Sequence, residues 1–164
     1  MKTGSAGFDI ILKYEGLHDG DLKQIGLQPK MDPIGIWTEG YGRAMRDSKG
    51  NFIRGTASKK LAYANISMHT IKEALEALKS DLSTYEAIVS KKIKIPLTQN
   101  QFDALVSYTY NTGGSSTLFR YINTYQGVDK IYQWFTTKYI TADGVALRGL
   151  VLRRKSEADL FFTK

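Results

Sequence analysis

Glu15, Asp32 and Thr38 are the residues whose types and spacing could carry chemistry. Two carboxyl groups facing one another are the minimum apparatus for splitting a glycosidic bond. One, protonated, gives its proton to the leaving oxygen, and the other, ionised, assists on the opposite side. That division of labour needs two different environments. A helix C-terminus disfavours negative charge, which suits a proton donor. Glu15 is expected at such an end, because Gly16 follows it. Asp32 lies in a glycine-rich segment where it can stay ionised, and Thr38 offers a hydroxyl that can hold a water for attack. Each residue also has a plainer reading. Glu15 is equally a salt-bridge partner for an arginine of the last helix, Asp32 a turn residue before Pro33, and Thr38 an ordinary strand residue. Asp19 and Asp21 are rival acids in the same segment.

The elements that must position these groups follow from periodicity and turn residues. Residues 5–14 read as a first helix, with Ser5 as N-cap and Phe8, Ile11 and Leu12 on one face. Residues 16–56 hold eight of the 15 glycines and two of the three prolines, so long helices are excluded and a small irregular sheet is expected. Its pieces are a strand within 35–42, a turn at 47–51 and a short strand at Phe52-Ile53. Thr70 and Glu73 form a capping-box signature opening a helix that runs to Lys92. At 1.5 Å per residue it is about 30 Å long, enough to bridge two lobes. Pro96 breaks the pattern, and Thr98 caps a helix over 99–110 that ends at Gly113-Gly114. Helices over 117–125 and 128–139 follow, then a turn at Ala142-Asp143-Gly144. An amphipathic helix over 147–162 bears Arg153, Arg154 and Glu157. The expected fold class is α+β and mostly helical. A glycine-rich lobe (14–69), a linking helix (70–92) and a helical lobe (93–164, with the first helix packed on it) make one domain with a cleft between the lobes.

The 164 residues fit one domain. A composition of 42% hydrophobic and 24% charged residues excludes wholesale disorder. No cysteine is present, which excludes disulfide scaffolds, thiolate zinc sites and cysteine nucleophiles. The two histidines, His18 and His69, argue against a multi-histidine metal site. No stretch reaches the roughly 18 uncharged apolar residues that span a bilayer, and Phe8–Leu12 is too short for a signal-peptide core. The chain is therefore expected to carry neither a transmembrane nor an export segment. A net charge of +7 favours polyanions: nucleic acid, anionic lipid headgroups or the acidic polymers of a bacterial envelope. The basic residues are scattered, densest at Lys59-Lys60, Lys91-Lys92 and Arg153-Arg154-Lys155, so a solvated basic face is an equal reading. The ten tyrosines are spread over core positions rather than gathered into a stacking platform, which argues against a nucleic-acid module.

Lys13-Tyr-Glu15-Gly-Leu17, followed by Asp32-Pro-Ile-Gly-Ile-Trp-Thr38-Glu-Gly-Tyr-Gly42, resembles the phage-type lysozymes of glycoside hydrolase family 24. The resemblance extends through Pro96–Val106 with Tyr110-Asn111 and Gly113, through Ser116–Leu118 with Asn123, and through Gly149-Leu150, Arg153-Arg154, Glu157 and Leu160-Phe161. It implies a lysozyme-like fold and a muramidase that cuts the β-1,4 bond between N-acetylmuramic acid and N-acetylglucosamine. Glu15 would be the general acid, and Asp32 with Thr38 would position the attacking water, with an inverting outcome. Arg153 or Arg154 would pair with Glu15, and Tyr41, Tyr110 and Thr117 would line the sugar cleft. Such hydrolysis needs no cofactor or metal. The partner would be a peptidoglycan glycan strand and not nucleic acid. The enzyme would be a monomer that accumulates in the host bacterial cytoplasm and reaches the wall when a holin-like protein opens the membrane. An inactive lysozyme-like binding protein is the alternative, and it would require displaced acids.

Two departures stand out. Sixteen residues separate Glu15 from Asp32, a longer interval than is usual in the family, so Asp19–Pro29 is expected as an inserted loop or hairpin. Arg43 stands where the family often has histidine, and its role is expected to be structural or rim-binding.

Overall fold

The computed structural model describes residues 1–142 and 144–163. Its Cα framework divides into two compact units, Glu15–Asp81 and Met1–Tyr14 with Leu82–Lys164.

The unit Glu15–Asp81 is built on a three-stranded antiparallel sheet in the order β1 (Lys30–Met31), β2 (Trp37–Glu39), β3 (Arg43–Ala44). The register sets Lys30 opposite Thr38, and Thr38 opposite Ala44. The strand expected across 35–42 is shorter, because Gly40 and Gly42 take left-handed backbone at φ 58° and 82° and turn the chain into a hairpin. Tyr41 is therefore a turn residue. The expected 47–51 turn is present, closed by Gly50 N donating to Asp47 O at 2.9 Å. The expected strand at Phe52-Ile53 is reduced to an isolated bridge between Phe52 and Arg46. Two small cores hold this unit. One is Trp37, Met45, Ile53 and Ala62, the last from the short helix α2 (Lys59–Ala64). The other is Leu27, Met68 and Ala74.

The long helix α3 (Ile71–Lys92) supplies residues to both units. Its start is the expected capping box: Thr70 N donates to Glu73 Oε2 at 2.9 Å, and Glu73 N donates to Thr70 Oγ1 at 3.2 Å.

The second unit contains α1 (Ser5–Glu15) up to Tyr14, then α4 (Gln99–Thr112), α5 (Ser116–Asn123), α6 (Val128–Thr137) and α7 (Arg148–Phe162). A two-stranded ribbon, β4 (Thr141–Ala142) and β5 (Val145–Ala146), precedes α7. The turn expected at Ala142-Asp143-Gly144 falls partly on Asp143, outside the described residues. Thr98 caps α4 in a full capping box with Gln101, and Gly113 ends it in left-handed conformation. Helix α4 is buried without interruption from Phe102 to Thr109 and packs chiefly on α7. Ser5 is the first helical residue of α1 rather than its cap. The carboxylate of Asp103 serves that end instead, accepting from Gly4 N at 2.9 Å and Gly7 N at 3.1 Å.

Helix α7 departs from the amphipathic expectation. Arg153, Arg154 and Glu157 are buried, while Val151 and Leu152 are exposed. The guanidiniums go inside where Glu157 meets both at i+3 and i+4 spacing: Arg154 Nε and Arg153 Nε each lie 3.1 Å from a Glu157 oxygen. Two of the cations read as a basic face are thus core residues.

Candidate active site

Glu15 is the last residue of α1, and Gly16 at φ 68° turns the chain away. The carboxylate lies against the hairpin: a Cβ on Gly42 would stand 3.5 Å from Glu15 Oε2. The chain leaving α1 is stitched to that hairpin by His18 N, which donates to Gly40 O at 2.7 Å.

Asp32 occupies the turn between β1 and β2, as its plainer reading required. Its Oδ1 accepts from Ile34 N at 3.0 Å and Ile36 N at 2.8 Å, which fixes the plane of the carboxylate. Among the described residues, no protein group bonds to Oδ2, so the turn role occupies one oxygen only. Thr38 is in the central strand and buried. Its Oγ1 donates to Lys30 O at 2.8 Å, a bond set by the β1–β2 register.

The residue that sequence reasoning missed is His18. Its Nδ1 lies 2.6 Å from Thr38 Oγ1. The ring is half-buried; burial first, and the Lys30 ammonium second, push its pKa below the ordinary 6.5, while the charges of Glu15 and Asp32 and the Glu15 main-chain carbonyl pull the other way. The Thr38 hydroxyl thus meets the imidazole directly, and the charges of Glu15 and Asp32 act on it. The only signal in the sequence was a histidine three residues beyond Glu15, and it gains meaning only from the fold-back onto Gly40.

The rival acids are local turn residues. Asp19 Oδ1 accepts from the main chain of Asp21 at 3.2 Å and Gln28 at 3.3 Å. Asp21 is held low in pKa by hydrogen bonds from Gln24 and from the Lys23 main chain. The inserted segment is thus a self-bonded loop, closed where Gly20 N donates to Gln28 O at 3.0 Å. Arg43 grips Asp81 through Nε and Nη2 at 2.9 and 2.8 Å and the Ala77 carbonyl at 2.9 Å, a structural role.

Tyr41 is half-buried against the Leu27, Met68 and Ala74 cluster. Tyr110, Thr117, Arg153 and Arg154 belong to the other unit. Tyr110 meets the Tyr85 ring edge-on at 5.0 Å, Thr117 is in the first turn of α5, and both arginines contact Glu157. Among the described residues, no group of three or more histidine, aspartate or glutamate side chains could hold a metal ion, and no helix is long and apolar enough to cross a membrane.

A sequence profile described as phage lysozyme matches residues 21–157. The chain belongs to the phage lysozyme family. The match includes Asp32 and Thr38 and begins after Glu15. Relatives similar over nearly the whole chain include the endolysin of Acyrthosiphon pisum secondary endosymbiont phage 1, 29% identical over 98% of both chains. Among solved structures, the muramidase domain of SpmX from Asticaccaulis excentricus is similar, at 30% identity, a TM-score of 0.73 and coverage of 99% of both chains. The endolysin from Escherichia coli O157:H7 phage FAHEc1 is similar at 32% identity and a TM-score of 0.70, covering 99% of this chain and 94% of that one. A phage lysozyme is a glycoside hydrolase acting on bacterial peptidoglycan, and the mostly helical α+β fold is that of the family.

Proposed function

We propose that this phage lysozyme cuts the β-1,4 bond between N-acetylmuramic acid and N-acetylglucosamine by inverting acid–base catalysis. Protonated Glu15 gives its proton to the glycosidic oxygen as the bond from C1 to that oxygen breaks. A water held by Asp32 Oδ2 and Thr38 attacks C1 from the opposite face and passes its proton to Asp32. Exchange with solvent then restores both carboxyls. The observation that carries this reading is Glu15 closing α1 with its carboxylate against the hairpin after β2, while Asp32 in the turn before β2 has one oxygen anchored by the main chain and the other open.

Tyr41, Tyr110 and Thr117 contact the sugar strand in this reading. The protein works as a monomer, its net charge of +7 suits an acidic wall, and it passes from the host cytoplasm to the wall with the help of a holin-like protein. Purified peptidoglycan tests the chemistry. Glu15→Gln and Asp32→Asn each lower turnover by about 100-fold or more, the worth of a general acid or base, while Asp19→Asn leaves it within a few-fold. Mass analysis of the products shows reducing ends on muramic acid. Anhydro-muramic ends would identify a lytic transglycosylase, and Asp19→Asn costing more than Asp32→Asn would move the second acid.

A further inference from the structure

We infer that His18 is a positioning residue: it orients the Thr38 hydroxyl, and through it the attacking water, an inference that rests on the catalytic reading above. A hydroxyl has one proton to donate and two lone pairs with which to accept. Thr38 Oγ1 lies 2.8 Å from Lys30 O and 2.6 Å from His18 Nδ1. A carbonyl oxygen can only accept, so the hydroxyl proton points at Lys30 O, and Nδ1 must bring its own proton to make the second bond. The ring is thereby fixed with hydrogen on Nδ1. With both bonds made, Thr38 Oγ1 keeps one lone pair, in one direction. A water that donates to that lone pair is held in one direction, and in the catalytic reading the open oxygen of Asp32 is its second partner.

Thr38 cannot do this by itself. Rotation about its Cα–Cβ bond is limited by burial and by its β-branch, but with Lys30 O as sole partner the hydroxyl keeps two open lone pairs and offers a water two directions. His18 fills one of them and is itself fixed by its main-chain bond to Gly40 O at 2.7 Å. The charged groups facing the ring are Glu15 at the end of α1, Lys30 on β1 and Asp32 in the turn after β1. Protonation of Nε2 places a cation in the field of the Lys30 ammonium and of the Glu15 and Asp32 carboxylates. It leaves the Nδ1–H bond intact but strengthens the hold on both anions, which weakens Asp32 as a proton acceptor. The neutral ring is therefore the working form, and burial with the Lys30 charge keeps it neutral to lower pH than a free histidine.

Three measurements test this. His18→Ala lowers kcat about tenfold with KM unchanged, because the substrate is bound as before and only the water loses its place. His18→Asn, whose amide N–H replaces Nδ1–H without a titrating group, recovers kcat to within about threefold and moves the acid limb of the kcat–pH profile to lower pH. Nitrogen-15 NMR of the wild-type ring near neutral pH shows hydrogen on Nδ1 and a bare Nε2. Circular dichroism melts establish that the variants are folded. Wild-type kcat in folded His18→Ala, or an Asn variant as impaired as the Ala variant, would overturn the inference, as would hydrogen on Nε2 alone. Loss of the catalytic reading is a separate result: Glu15→Gln then keeps its activity, while the NMR tautomer stands or fails independently of turnover.

Discussion

Replacing Glu157 by glutamine tests how far the two buried guanidiniums of α7 depend on the one carboxylate between them. Glu157 is fully buried, as is Arg154, and Arg153 is 2% exposed. Oε1 accepts from Ser107 Oγ at 2.7 Å, Arg153 Nε at 3.1 Å and Arg154 Nη2 at 3.3 Å, and Oε2 lies 3.1 Å from Arg154 Nε. Burial pushes the Glu157 carboxyl up in pKa, and the two guanidiniums and the Ser107 hydroxyl oppose it. Glutamine keeps the volume and one acceptor oxygen. It removes the anion that both guanidiniums share and aims an N–H group at one of their donors. Removing one member of a buried charge pair costs about 3–5 kcal/mol. In a protein of this size each kcal/mol lowers Tm by about 2–4 °C, so the melting temperature falls by roughly 6–20 °C. Calorimetry near neutral pH reads the shift, and urea unfolding gives the free energy. A loss under about 1 kcal/mol would mean that the guanidiniums do not depend on Glu157, and the argument that it is their essential counter-charge would fail.

Two shorter expectations accompany it. Burial works against the Glu86 carboxylate, but hydrogen bonds from Lys2 and from the main chain and hydroxyl of Thr3 outweigh it and hold its pKa below the usual 4.5. A depressed acid stabilises the fold above its unfolded pKa and loses that contribution as pH falls through the folded value. The urea stability gap between wild type and Glu86→Gln, about 1–2 kcal/mol at neutral pH, therefore closes on acidification. A gap that persists at about pH 2–3 would contradict the argument. Gly40→Ala places a Cβ 2.6 Å from Met68 Sδ at a backbone φ of 58°. It costs about 1–3 kcal/mol by thermal melt, and turnover falls with it because Gly40 O holds His18. An alanine variant with wild-type stability would show that the hairpin can shift freely.

Features legible in the sequence were those written in local chemistry. Glu15 ends a helix because Gly16 follows it, and the two capping boxes at Thr70 and Thr98 start helices where their side chains can reach back three residues. Asp32 as a turn residue follows from its place before Pro33. What escaped depended on which strand lies opposite which. Lys30 faces Thr38 only through the β1–β2 register, and His18 reaches Thr38 only because its main chain pairs with Gly40. Neither pairing leaves a mark in spacing along the chain. Helix α7 misled for a different reason. Periodicity assigns charges to solvent, yet Arg153 and Arg154, four and three residues before Glu157, make a set that can be buried together. The spacing was visible, and the rule applied to it treated each charge alone.

The two units divide the physical work unequally. The helical unit carries a continuous core in which α4 is buried along eight consecutive residues. The unit with Glu15, His18, Asp32 and Thr38 has two cores of three and four buried residues, and the proposed site is held by main-chain bonds of turns and a short hairpin. A hydrogen-bonded turn fixes direction well, because one carboxylate oxygen or one imidazole nitrogen meets one N–H or O–H. It contributes little net free energy per bond, about 1 kcal/mol. Aim and stability are thus supplied by different parts of the chain. On the proposed mechanism, a substitution that loosens the hairpin disturbs the aim of Thr38 and Asp32 at a lower cost in global stability than one in α7, which disturbs stability first. The relation between lost turnover and lost Tm therefore identifies which unit a substitution has damaged.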